Sequence, residues 1–264
     1  MAPLEPVIHL HHVSVIRGGR ATVDDVSLSI RPGEQWALIG PNGAAKSTVM
    51  GLCSTVTKAS SGIVEIFGQQ VGTVETTSLT SRMGYVTNHH RIEWPLTARD
   101  IVLTAFTNTL ETPMRWQATA EQVADADAQL EKFGLGHVTD NLWQRLSQGE
   151  LARCFLARAV LLKPEILLLD EPAAGLDLAA REQVLDLIDE LSAERPELAV
   201  VLITHHLEEL PSSTTHAALI KNGKIVHAGV ATDVLNSEQV SETFGVPVTV
   251  DYDHGRWSTR SNRG

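Results

Sequence analysis

The run Gly40-Pro41-Asn42-Gly43-Ala44-Ala45-Lys46-Ser47-Thr48 constrains this chain more than any other feature. It follows the apolar stretch Trp36-Ala37-Leu38-Ile39, which reads as a buried strand, and precedes a helix-compatible segment through Cys53. A glycine-rich turn between strand and helix aims backbone N–H groups and the positive end of the helix dipole at one point, a cradle for phosphate. In that cradle Lys46 is expected to bridge the β- and γ-phosphates of a nucleotide, and the Ser47 hydroxyl to bind Mg²⁺. An ordinary glycine-rich turn needs neither the lysine nor the serine in this order. Ala45 stands where a glycine usually precedes the lysine. A methyl group is tolerated there only if φ is negative and Cβ stays clear of the phosphate.

Two further apolar runs carry polar ends. Ile166-Leu167-Leu168-Leu169 leads into Asp170-Glu171, and Ala199–Ile203 leads into Thr204-His205-His206. Continuous apolar strands of this length suit a parallel sheet covered on both faces, and the helix-like segments after them give the alternation of an α/β fold. Ligands of open α/β sheets bind beyond the C-terminal strand ends. Asp170 is therefore a candidate for Mg²⁺, directly or through water. Glu171 can polarise a water for attack on the γ-phosphate, and His205 can contact that phosphate. Taken alone, two loop acids and a capping or exposed histidine are the simpler reading. Asp177 then precedes an amphipathic run, Val184, Leu187, Ile188 and Leu191, closed by Pro196.

The surrounding chain fits around this core. Val26, Leu28 and Ile30 alternate with Ser27 and Ser29, as in a half-buried strand. Between Thr97 and Phe133 the pattern turns helical: Val123, Ala126, Leu130 and Phe133 lie on one face, Thr119 with Gln122 reads as a capping box, and Gly134 as the stop. Ala218-Leu219-Ile220 and Lys224-Ile225-Val226 flank Asn222-Gly223, a hairpin signal. The polar end, Arg256 to Gly264, is expected to fray. Two cysteines in 264 residues, Cys53 and Cys154, lie in apolar stretches and read as buried thiols of a reducing compartment. The formal net charge of −11 disfavours broad nucleic-acid binding. No stretch reaches the length of a membrane span, and the opening MAPLEP has no signal-peptide pattern, so a cytoplasmic chain is expected.

Leu146-Ser147-Gln148-Gly149-Glu150 precedes another helical pattern. Ser147 and Glu150 suit a capping box, and the helix N-terminus with its serine and glycine also suits an anion. With these residues the chain resembles the nucleotide-binding subunit of an ATP-binding cassette (ABC) transporter over nearly its whole length. GPNGAAKST resembles Walker A, LSQGE the family signature, ILLLDE Walker B, AGLD the D-loop and ITHH the switch-histidine loop, all in the family's order.

The resemblance implies an α/β P-loop NTPase core with a mainly parallel sheet, an N-terminal antiparallel β subdomain and a helical subdomain inserted at about 95–160. One ATPase domain would span 1–250, with a short tail at 251–264. ATP and Mg²⁺ are the implied cofactors. Two subunits would pair head to tail, as a homodimer or with a paired ABC subunit. Each ATP would then lie between the Walker A residues Gly40, Pro41, Asn42, Gly43, Ala44, Ala45, Lys46, Ser47 and Thr48 of one chain and Ser147, Gln148, Gly149 and Glu150 of the other. Glu171 would be the general base, His205 the γ-phosphate sensor, and Ala174 to Asp177 the link between the two sites. Membrane permease subunits would hold the pair at the inner face of the cell membrane, and importer ATPases for metal chelates or oxyanions are the most similar group.

Three further positions depart from the family pattern. Arg17 stands where an aromatic usually stacks on adenine, and its guanidinium plane can stack through cation–π attraction. In Gly84-Tyr85-Val86-Thr87-Asn88, Asn88 replaces a glutamine that reaches Mg²⁺, with one methylene less. Gln148 replaces the third residue of the signature. The neighbouring pairs His11-His12, His89-His90 and His205-His206 do not suggest structural zinc, because strand neighbours point to opposite faces; His89 and His90 suit a partner surface. The alternatives are a non-transport ABC ATPase acting on ribosomes or DNA, which the single cassette, the acidity and the missing heptads disfavour, and another P-loop enzyme, which LSQGE and His205 disfavour.

Overall fold

The computed structural model describes residues 4–87, 92, 94–109 and 116–261. In chain order the elements are β1 (Ile8–Arg17), β2 (Arg20–Ile30), β3 (Gln35–Ile39), α1 (Lys46–Cys53), β4 (Ser61–Ile66), β5 (Gln69–Gln70), α2 (Thr76–Thr80), β6 (Met83–Thr87), α3 (Ala98–Leu103), α4 (Ala120–Lys132), α5 (Gln148–Val160), β7 (Ile166–Asp170), α6 (Leu178–Glu194), β8 (Ala199–Thr204), β9 (His216–Lys221), β10 (Lys224–Val230), α7 (Ala231–Val234), α8 (Ser237–Phe244), β11 (Val248–Asp253) and β12 (Arg256–Ser261).

The central sheet has the order β10-β9-β3-β8-β7-β6, and every neighbouring pair is parallel except β9–β10. The inner strands β3, β7 and β8 are buried along their whole length and apolar between their ends because both faces are covered. Leu167, Leu169, Val200, Leu202, Ala37 and Ile39 face a core shared with α3 to α6. The alternate residues Ile166, Leu168, Val201, Ile203, Trp36 and Leu38 face a second core with α1 and the antiparallel sheet β2-β1-β4-β5. The N-terminal antiparallel unit thus caps the face that carries α1.

The middle of the chain is helical, as its periodicity predicts. α3 and α4 open with reciprocal capping boxes, Thr97 with Asp100 and Thr119 with Gln122, each of which satisfies two orphan N–H groups. α4 ends before Gly134, whose φ of +69° is the left-handed stop. Asn222 and Gly223 both adopt positive φ, the geometry of a tight hairpin that matches strand twist. Cys53 and Cys154 are fully buried, and burial pushes both thiols up to about 12.

Most of the stretch expected to fray is a strand instead, and residues 262–264 lie outside the described residues. Residues 256–261 form β12, paired with β11 in a separate two-stranded sheet. The sequence looks polar because only one face of this hairpin is covered; that face is carried by Trp257, 3% exposed, which joins the core beside Leu207 and Leu210. Among the described residues no helix is long and apolar enough to cross a membrane.

Candidate functional site

Three neighbouring strands set the site. In the parallel register Ile39 of β3 lies beside Thr204 of β8, and Ile203 of β8 beside Asp170 of β7. The loop 40–48, the pair Asp170-Glu171 and His205 therefore leave the same sheet edge from adjacent strands, at the position where open α/β sheets bind ligands. Thr87 of β6 pairs with Asp170 one strand further on. Asn88, the expected metal ligand that follows it, lies outside the described residues, as do His89 and His90.

Gly40 starts the loop where the chain passes close to β9. A Cβ there would sit 2.1 Å from the carbonyl oxygen of Ile220, so no larger residue fits. Ala44 is buried, and its carbonyl accepts the N–H of Gly223, tying the loop to the β9–β10 hairpin. Gly223 in turn accepts from the N–H of Asp24, so β2 is bound to the same hairpin. Arg17, at the exposed end of β1, sits on this antiparallel unit.

Lys46 is only 5% exposed, and its Nζ donates to the carbonyls of Gly40 (2.8 Å) and Pro41 (3.2 Å). Desolvation lowers its pKa, against the opposing pull of the Glu171 and Asp170 carboxylates. A buried ammonium held by two neutral carbonyls at a helix N-terminus is suited to an anion. Ser47 is exposed on the first turn of α1, and Asp170 is 8% exposed at the strand end. A hydroxyl and a carboxylate are hard oxygen donors, and this donor set fits Mg²⁺. The same Asp170 charge, second to desolvation, raises the pKa of Tyr85.

Ala45 takes φ +81°, ψ +19°. The condition under which a methyl group is tolerated there is not met: the chain needs a left-handed residue before α1, and an alanine fills it under strain. Ala45→Gly should remove that strain and stabilise the nucleotide-free protein by about 1 kcal/mol. Urea unfolding without nucleotide measures this, and an unchanged midpoint would show that the loop relaxes around the methyl group.

Glu171 is a second strained position, at φ +52°, held there by its N–H bond to the carbonyl of Ile203 (3.0 Å). Such strain in a charged residue persists where surrounding structure fixes it, and it clusters at functional sites. The turn directs the Glu171 side chain toward His205, whose Nδ1 lies 3.3 Å from Oε1. Thr204 is fully buried; its hydroxyl donates to Glu209 and accepts from the His206 N–H at 3.0 Å.

Ser147, Gln148, Gly149 and Glu150 open α5. The capping box is fully formed: the Glu150 N–H donates to Ser147 Oγ, and the Ser147 N–H and hydroxyl donate to Glu150 Oε2 at 2.7 and 2.8 Å. These bonds, led by the backbone N–H, hold the Glu150 carboxyl below its ordinary range. Within one chain the serine hydroxyl is thus spent on the cap. Gly149 has an internal packing reason as well, because a Cβ there would meet Ala180 Cβ of α6 at 2.7 Å. Asp177 caps α6 by accepting from the Ala180 N–H. No local pattern signalled Ala180, Thr204 or Glu209, since their roles depend on packing between distant segments.

A family model described as ABC transporter matches residues 23–174. The chain is 34% identical to a zinc import ATP-binding protein, ZnuC, of Alcanivorax borkumensis, covering 91% of this chain and 85% of that one. It is 31% identical to a hemin import ATP-binding protein, HmuV, of Rhodococcus jostii, covering 90% and 80%. In fold it resembles a putative metal-chelate type ABC transporter in an inward-facing conformation, with a TM-score of 0.80 at 20% identity over 97% of this chain and 96% of that one.

Proposed function

The chain belongs to the ABC transporter family and is one of its ATP-hydrolysing subunits, and from that premise we propose how its own residues divide the work. The observation that carries this reading is the convergence of Lys46, Asp170, Glu171 and His205 from three adjacent strands at one sheet edge. Residues 40–48 hold the phosphates through backbone N–H groups, with the Lys46 ammonium turning from its own loop carbonyls to the β- and γ-phosphates. Ser47 and Asp170 would hold Mg²⁺, which when bound would supply neutralisation of phosphate charge. Glu171 accepts the proton of the attacking water, and its strained turn aims the carboxylate out of the sheet edge. His205, within hydrogen-bond reach of Glu171, contacts the γ-phosphate and ties its presence to the position of the base. Arg17 supplies a cationic plane for the adenine ring.

A second chain, paired head to tail, contributes Ser147, Gln148, Gly149 and Glu150. Its Ser147 hydroxyl leaves Glu150 to bond the γ-phosphate, so that nucleotide replaces one internal bond with one across the interface. A groove of about 410 Å³ supports a separate docking role. It runs past Val56, Tyr85, Phe106, Arg158 and Leu162 and contains no residue of the phosphate loop. Val56 is 77% and Leu162 48% exposed, an apolar rim that suits a cytoplasmic loop of a membrane permease. The hemin and zinc import roles in the relatives' names favour uptake as the direction of transport.

The test is capture with Mg-ATP from detergent-solubilised cells, using the full chain carrying Glu171→Gln. A multi-span membrane protein in fixed ratio is expected, and Val56→Asp should abolish its capture while leaving ATP binding intact. Recovery of ribosomes, DNA-bound proteins or a homodimer alone would overturn the docking reading.

A further inference from the structure

The turn that carries His205 is held on its inner side by its own buried side chains and on its outer side by a distant segment. After β8 ends at Thr204 it continues as a single 3-10 turn, Leu207–Glu209, too short to be stable by itself. On its inner side Thr204 and Glu209 bond to each other. The outer side is held by the β11–β12 hairpin, from about fifty residues further along the chain. The Thr259 N–H and hydroxyl both donate to Glu208 Oε1, at 2.7 and 2.6 Å. Arg256 Nη2 donates to the Glu208 carbonyl at 3.3 Å and to Glu182 Oε1 of α6 at 3.1 Å. A two-stranded hairpin is marginal alone, but this one is pinned by buried Trp257 in the core that also takes Leu207 and Leu210.

We infer that the C-terminal hairpin is a brace for the switch histidine: Glu208 and Thr259 are positioning residues that fix the 204–209 turn and thereby hold His205 against Glu171. Arg256 extends the brace to α6, the helix that Asp177 caps, so the turn and that helix are held by one clip. This inference rests on the role of His205 proposed above. A displaced turn moves the imidazole relative to the reacting phosphate and costs rate, whereas the phosphate loop on β3 stays in place.

The experiment uses the purified full chain, with Glu208→Ala, Glu208→Gln and Thr259→Val made both in the parent and in His205→Ala. Residual rates are read with radiolabelled ATP, and folding by thermal melt. Glu208→Ala should lower kcat roughly tenfold with KM for ATP within about twofold, because misplacement affects chemistry more than binding. Glu208→Gln keeps an acceptor oxygen and should run near the parent rate, while Thr259→Val, which keeps its N–H, should fall in between. In the His205→Ala background Glu208→Ala should change the residual rate by less than about twofold, since residues acting as a unit are not additive. An equal loss in both backgrounds, a matching rise in KM, or a parent rate for Glu208→Ala beside an inactive His205→Ala would overturn the brace and leave the role of His205 standing. A parent rate in His205→Ala alone would overturn that role and the brace with it.

Discussion

Glu171→Gln is expected to lower ATP turnover by about a thousandfold while leaving ATP bound. Glutamine keeps the size of the side chain and an oxygen facing His205, 3.3 Å away in the parent, but it cannot take a proton. The left-handed turn at residue 171 is set by the Ile203 carbonyl and does not depend on the carboxylate, so the geometry should survive. The variant should therefore stop after nucleotide binding and accumulate as an ATP-bound pair of chains. Size-exclusion chromatography with and without Mg-ATP, alongside phosphate release, reads both effects. Hydrolysis at the parent rate would remove Glu171 as the base.

Lys46→Met is expected to weaken ATP binding by about a hundredfold, the order of magnitude for losing hydrogen bonds from a charged donor. The same change should raise the stability of the nucleotide-free protein, because it removes a desolvated ammonium from a 5% exposed position. The sign follows from linkage. Burial lowers the folded pKa of Lys46 below its ordinary 10.5. At pH below the lowered value the charged amine is a cost to the fold, and stability rises with pH between that value and 10.5, where the unfolded chain binds the extra proton. Phosphate favours the charged form, so the parent should take up a proton on binding ATP in that window, and its affinity should fall as pH rises through it. Calorimetry in two buffers of different ionisation enthalpy measures the uptake. Lys46→Met should show neither the uptake nor the slope, and an identical slope in the variant would assign it to another group.

These effects pull in opposite directions for a physical reason. The loop 40–48 is arranged for an anion, so without one it holds a buried cation at Lys46 and a left-handed alanine at Ala45, and both cost stability. Glu171 adds a second strained residue two strands away, at the end of β7. A site prepared in this way spends little on reorganisation when nucleotide arrives.

Much of this site was legible before the fold was known. The apolar runs ending at Ile39, Leu169 and Ile203 are buried strands, and the residues directly after them are the ones gathered at one edge. Capping boxes at Thr119 and Ser147 stand where the spacing put them. Each of these features depends on neighbours a few residues apart, and local sequence encodes such features well. The condition on Ala45 was also readable, though not its outcome, because φ at one residue depends on how the strand, loop and helix join.

The sequence by itself determined the α/β alternation, the phosphate loop, the two carboxylates and the family to which they belong, because strand period, cap spacing and a contiguous loop are local properties. Only the tertiary structure decided the strand order β3-β8-β7 that brings those segments together, the close contact of Gly149 with Ala180, and the return of a polar-looking C-terminus to clasp the turn behind His205. Those depend on contacts between residues tens of positions apart, where one buried tryptophan, Trp257, outweighs the polar character of the five residues that share β12 with it.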